Sequence, residues 1–316
     1  MNEFQTVLGA VVPIFLIAAI GLLIRKLNWL TEEADQSLLR VNINLLLPCL
    51  IFDAATGNPA LAQLSNLVLP PLVGFATMAL GVGLAWMARR WVRLEDARAA
   101  RTFAVSVGLY NYGYIPLPLA LLLFGRETAG VLFVHNVGVE IGIWTLGIML
   151  LTGQRPGRDW RQIVNAPLVA ILLAVALNAC GGDRYVPALL LTPIHWLGAC
   201  AVPMALVLIG AVIADHLHEF HSASGWRVIV AAVLLRNGVL PVMFLLLASV
   251  IPASVELKRV MALQAAMSSA VFPIILARHY GGDAPTAMRV VLGTTVVGFI
   301  SIPLWIRFGL EFLGLR

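Results

Sequence analysis

Ten apolar runs separated by short polar or charged stretches divide this chain, near residues 7–24, 37–55, 65–88, 102–123, 128–151, 164–180, 191–213, 227–250, 259–277 and 286–306. A helix needs ~20 apolar residues to cross the hydrocarbon core of a bilayer. The pattern therefore predicts an all-α membrane protein of ten transmembrane helices, several long enough to be tilted. None of the intervening stretches has the length of a soluble domain. Residues 1–5 hold an acid and no base, and Arg25 and Lys26 follow the first run. That order is the reverse of a secretory leader, so the first run is expected to stay as a helix.

Composition supports the same reading. Of 316 residues, 60% are hydrophobic and 12% charged, with a mean hydropathy of +0.92. A soluble domain carries about 25% charged residues, so there is too little charge here for a solvated surface. Cys49, Cys180 and Cys200 lack metal or redox spacing and are expected as small core residues. The net charge of +5 would suggest nucleic acid only if the basic residues formed one solvated patch, and they lie instead in short loops. The loops after runs 1, 3, 5, 7 and 9 hold 14 of them, including Arg25, Lys26, Arg89, Arg90, Arg155, Arg158 and Arg161. The other side, with both termini, holds 6, and Arg236 lies inside run 8. The bias predicts a multi-pass protein of the cell (inner) membrane with odd loops in the cytoplasm and both termini on the non-cytoplasmic side.

Proline spacing suggests an internal repeat. Pro13 and Pro167 are 154 residues apart, while Pro48 and Pro203, and Pro118 and Pro273, are 155 apart. About one such coincidence is expected by chance. The pairs fall in runs 1/6, 2/7 and 4/9, which links equivalent members of two sets of five. An odd number of spans per repeat makes the second copy enter from the opposite side, as in secondary carriers. The expected division is residues 1–151, a linker at 152–163, and 164–316.

Run 4 contains Asn111, Tyr112, Gly113, Pro116 and Pro118, and run 9 has Gln264, Ser268 and Ser269 ahead of Pro273. Prolines in these positions argue against a continuous helix, and broken backbone at membrane depth requires burial in protein or a wet cavity. Matched breaks point to a substrate site whose half-helix N-termini would favour an anion. Ionisable residues within the runs are costly and therefore functional candidates: Glu140 with His135 and Asn136 a turn earlier, Asp53, Arg236 and His195. Arg236 is read as balancing substrate charge, pairing with Glu140 or snorkelling; these stay open. His216, His218 and His221 form a histidine-rich loop best read as solvated.

Several stretches carry a family likeness: Val12-Pro13-Ile14-Phe15, Leu47-Pro48-Cys49-Leu50-Ile51-Phe52, residues 111–125, Asn165-Ala166-Pro167-Leu168, Val202-Pro203-Met204-Ala205-Leu206 and residues 264–282. In this order they resemble the auxin efflux carrier family, especially its short prokaryotic members. The resemblance implies two inverted five-helix repeats of the sodium/proton-antiporter-like, elevator type. Spans 1, 2, 6 and 7 would form a scaffold and a homodimer contact, and spans 3–5 and 8–10 a moving transport domain. Spans 4 and 9 would cross beside an anionic substrate. Asn111 matches the family's crossover asparagine, Pro118 its crossover proline and Pro273 the proline of span 9. Pro116 stands where the family often has glycine, and Met267 where plant members have proline. The long cytoplasmic loop of many plant members is absent, and prokaryotic relatives are associated with dicarboxylates such as malate or malonate.

The expected function is secondary transport of a small organic anion, a dicarboxylate or auxin-like carboxylate. The expected substrate contacts are Asn111, Tyr112, Gly113, Pro116, Pro118, Gln264, Ser268, Ser269 and Pro273. Glu140, Asp53, Arg236 and His135 are the coupling candidates, for H+ or Na+, with no cofactor and no metal. A sodium-coupled bile-acid-type symporter of the same architecture is the alternative. A sodium/proton antiporter would need carboxylates at the crossing, and neither crossover segment has one. An enzyme is not expected, because apart from His135 and Glu140, five apart on one helix, no nucleophile and base or metal ligands share one depth.

Overall fold

Backbone N–H and C=O groups in hydrocarbon have no water to bond, so the apolar runs can bury themselves only as helices. The computed structural model describes residues 3–94, 96–153, 163–216 and 225–315, and among these no strand forms. The helices are α1 (Glu3–Lys26), α2 (Glu32–Val41), α3 (Leu47–Ala55), α4 (Ser65–Val92), α5 (Ala97–Gly108), α6 (Pro116–Gly142) and α7 (Ile148–Thr152). They continue with α8 (Ala166–Ala179), α9 (Ala188–His216), α10 (Trp226–Val233), α11 (Leu240–Val250), α12 (Val255–Ala266), α13 (Phe272–His279) and α14 (Ala284–Phe312). Three π-helical turns join neighbours without a break: Asn42–Leu46 between α2 and α3, Ile143–Gly147 between α6 and α7, and Leu234–Val239 between α10 and α11.

Seven helical stretches are long and apolar enough to cross a membrane: Gln5–Lys26, Glu32–Ala55, Ser65–Val92, Pro116–Thr152, Ala188–Asp215, Trp226–Val250 and Ala284–Phe312. Run 164–180 forms the 14-residue α8, only ~21 Å long. Runs 102–123 and 259–277 are interrupted, which leaves α5, α12 and α13 below spanning length. The loop expected between runs 4 and 5 is reduced to a kink. Helix α6 passes from one run into the next through Gly125, whose φ of 78° only glycine adopts freely. The linker stretch 154–162, with Arg155, Arg158 and Arg161, and the loop residues His218 and His221 lie outside the described residues.

Large apolar side chains cover the outside. Trp91 is 88% exposed, Leu189 84% and Val250 76%, a surface suited to lipid. Cys180 and Cys200 are also exposed and Cys49 is only half-buried, which corrects the core reading of the cysteines. A lipid-facing position tolerates the same small apolar residues as a core, so the sequence does not separate them. Inside, glycines permit backbone-to-backbone contact. A Cβ on Gly138 of α6 would lie 1.7 Å from the Pro71 carbonyl oxygen of α4, and one on Gly210 of α9 1.8 Å from that of Ala18 on α1. At one end of α1, Arg25 bonds Asp35 of α2 and lies 3.2 Å from Asp215 of α9, closing that helix group. Gly138→Ala should destabilise the protein by about 1–3 kcal/mol, because the neighbour that must yield is backbone. Thermal unfolding in detergent micelles checks this, with Gly113→Ala, where an added Cβ meets open space, as the tolerated control.

Candidate functional site

The two interrupted runs meet. Helix α5 stops at Gly108 and the chain resumes helix at Pro116; α12 stops at Ala266 and helix resumes at Phe272. The intervening segments pair as one antiparallel bridge, Tyr110 with Ser269. The Asn111 N–H donates to the Ser268 carbonyl at 2.8 Å, and the Ala270 N–H to the Leu109 carbonyl at 2.9 Å. Each unwound segment thus gives a peptide N–H of the other a carbonyl partner. Pro116 is the first residue of α6 and Pro273 the second of α13. At those positions the missing N–H would be unpaired in any case and the fixed φ starts the helix, so these prolines open new helices rather than kink old ones. The Asn111 carboxamide oxygen accepts from the Ile115 N–H at 3.4 Å, closing the turn ahead of α6.

Beside the crossing lies a cavity of about 520 Å³. Asn111, Tyr112, Gly113 and Tyr114 line it from the first unwound segment, and Ala270, Val271 and Phe272 from the second. Asn136, Glu140 and Trp144 contribute from the helix that follows. The facing wall is apolar: Leu47, Ile51, Leu168, Ile171, Leu208 and Ile209. The lining reaches Asp35, Ile163, Asn165 and Val212 at the helix ends next to the odd loops, and takes no residue from 56–64 or 180–187. Among the described residues, no Lys, Arg or His lines it. Glu140 is held from two sides, Oε1 accepting from the Tyr112 hydroxyl at 2.6 Å and Oε2 from Trp144 Nε1 at 3.0 Å.

A profile of the family described as "Membrane transport protein" matches residues 6–160 and 157–306. The chain belongs to this family, that of the auxin efflux carriers. It is similar to an uncharacterized transporter of Methanothermobacter thermautotrophicus, 26% identical over 96% of this chain and 98% of the relative. A second relative, an uncharacterized transporter of Methanocaldococcus jannaschii, is 23% identical over 94% of this chain and 97% of its own length. The protein is therefore a multi-pass membrane transport protein.

In this transport protein the expected site residues part company. Asn111, Tyr112, Gly113 and Glu140 reach the cavity. Gln264 is buried behind it, its Nε2 donating to the Tyr112 carbonyl at 3.0 Å and lying 3.4 Å from Asn136 Oδ1. Ser268, Ser269, Pro116, Pro118 and Pro273 do not line it; the serines are buried, and the Ser269 N–H donates to Thr294 Oγ1 at 3.2 Å. His135 is fully buried beside Tyr110, with ring centroids 6.5 Å apart, and its neighbour Asn136 takes the cavity position. Asp53 lies elsewhere, 3.0 Å from His195 Nδ1 and with its carbonyl accepting from Arg126. Trp144, Tyr114 and the apolar wall were not singled out from sequence, since a Trp or Leu in a membrane run usually faces lipid.

Arg236 neither snorkels nor meets Glu140. It is fully buried, with Nε donating to the Met267 carbonyl at 2.8 Å and Nη2 to those of Gln264 and Ala265 at 3.0 and 3.3 Å. Its guanidinium carbon is 5.0 Å from the Tyr110 ring centroid and 5.1 Å from that of Phe244. These carbonyls form the C-terminal end of α12, which carries partial negative charge and lacks helical N–H partners. A fixed cation there holds the broken helix in place. Each buried carbonyl left unpaired costs about 1–3 kcal/mol, so Arg236→Leu should lower the melting temperature in detergent steeply, and Arg236→Lys should recover part of the loss.

Proposed function

We propose that this protein is a secondary carrier for an organic anion with an apolar body, bound in the cavity beside the crossed segments. The observation that carries the reading is the antiparallel pairing at Tyr110 and Ser269 next to that cavity. It directs the N-terminal ends of α6 and α13 toward the crossing, where their positive dipole ends favour a carboxylate. Asn111 would orient that carboxylate. The wall of Leu, Ile and Phe side chains supports a monocarboxylate with an aromatic or aliphatic body over a small dicarboxylate such as malate.

In this reading all ten apolar runs cross the membrane as two inverted sets of five. Helix α5 with the first part of α6, and α12 with α13, each make one crossing from two half-helices. The cavity's reach toward the odd loops corresponds to a cytoplasm-facing state, given the basic residues there. The groups of α1–α3 with α8–α9 and of α4–α7 with α10–α14 would be scaffold and transport domain, with movement of the elevator type and a homodimer through the scaffold. The sodium-coupled alternative is less favoured, because three carbonyls that could ligate Na+ at the end of α12 already bind Arg236.

Uptake into proteoliposomes tests the proposal, with labelled phenylacetate, indole-3-acetate, malonate and malate and with Na+ and pH gradients imposed separately. Saturable uptake of the aromatic acids is expected, with Asn111→Ala weakening apparent affinity by about tenfold or more. Preference for malonate would overturn the substrate class, unchanged affinity in Asn111→Ala the site, and currents above carrier rates the mechanism.

A further inference from the structure

The cavity proposed for an anion contains a carboxyl group and no basic side chain among the described residues. Both Glu140 oxygens accept from neutral donors, the Tyr112 hydroxyl and the Trp144 indole. No cation forms an ion pair with Glu140 among the described residues. The titratable groups on the surrounding elements do not supply one. Tyr112 and Tyr114 come from the unwound segment, and Asp35, an acid, from α2. His135 points to Tyr110 on the other side of its helix, and Arg236 is committed to the α12 carbonyls. An ionised Glu140 would therefore repel an incoming carboxylate across an apolar space, where little water screens the two charges. A protonated carboxyl removes that repulsion. It keeps acceptor capacity for Tyr112 and Trp144 and gains one O–H donor that an anion can use.

We propose that Glu140 is a proton-binding site that must be neutral for the cavity to accept a carboxylate, so that each anion is bound together with one proton. The proton comes from solvent through the cavity, goes onto a Glu140 oxygen, and returns to solvent when the anion leaves. Linkage is reciprocal, so the anion raises proton affinity by the same factor by which the proton raises anion affinity. This deepens the anion-carrier reading and rests on it. Tyr112 joins the proton site to the crossing, because its hydroxyl meets Glu140 and its carbonyl accepts from Gln264. A proton gained or lost at Glu140 is thus felt by the segment that holds Asn111.

Phenylacetate is the probe, with full-length protein in detergent and a pH indicator in weak buffer. Above the ionisation of the site, wild type should take up about one proton per phenylacetate bound and its affinity should weaken about tenfold per pH unit. Glu140→Gln should bind phenylacetate with no proton uptake and no pH slope. Binding to wild type with neither proton uptake nor a pH slope at any pH, or uptake that survives in Glu140→Gln, would overturn the proposal. Failure of phenylacetate to bind either protein would instead count against the substrate class. In that event pH-difference infrared spectra without ligand decide the proton site. A carboxylic-acid carbonyl stretch that titrates in wild type and is missing in Glu140→Gln supports it, and no such difference overturns it.

Discussion

A peptide group placed in hydrocarbon must find its partner in protein, and the pairing of the two unwound segments meets that demand where both helices fail. The bonds from Asn111 to Ser268 and from Ala270 to Leu109 give backbone groups a protein partner where α5 and α12 end. Everything chemical in the site follows from this. Two helix starts are brought to one place, Tyr112 and Gly113 turn toward a cavity, and the carboxamide of Asn111 closes the turn ahead of α6. The pairing is only two bonds long, so its surroundings have to be rigid, and the glycine contacts of α4 with α6 supply close-packed backbone next to it.

The two halves of the crossing are finished differently. The end of α12 is neutralised by a buried guanidinium from Leu234–Val239. Near the end of α5, Tyr110 is fixed instead by its hydroxyl 2.8 Å from Thr77 Oγ1, with Gly108 packed closely on α4. One end is thus held by charge and the other by close packing and neutral hydrogen bonds. A symmetric pattern of prolines does not imply a symmetric electrostatic site, and the positive charge stays behind the crossing while the carboxyl of Glu140 faces the cavity.

What could be read from the residues was what depends on local chemistry. Apolar runs of spanning length marked the helices, and Pro116 and Pro273 marked the interruptions, because proline acts on its own backbone whatever surrounds it. The site was legible only in part. Asn111, Tyr112, Gly113 and Glu140 reach the cavity, whereas Ser268 and Ser269 turn into the protein and His135 yields its place to Asn136. Which side of a helix faces a cavity depends on rotation, and in runs that are apolar all round no periodicity records it. Arg236 could not be assigned for a related reason. Its partners are main-chain carbonyls, which leave no trace in the identity of the residues that carry them.

The π-turns concentrate this difficulty. Asn44 lines the cavity from the first, Trp144 in the second holds Glu140, and Arg236 lies in the third. Such a turn contains one residue more than an α-helix would use over the same path. Losing that residue would let a plain α-helix cover the same path, so the flanking stretches would keep their relative rotation and only the residues of the turn itself would move. A single codon deleted between 234 and 239 would therefore leave hydropathy, length and the faces of the 226–250 helix almost untouched while abolishing the turn that presents Arg236 to the α12 carbonyls. The site depends on where these surplus residues sit, a dependence that substitutions sample poorly and insertions and deletions would reveal at once.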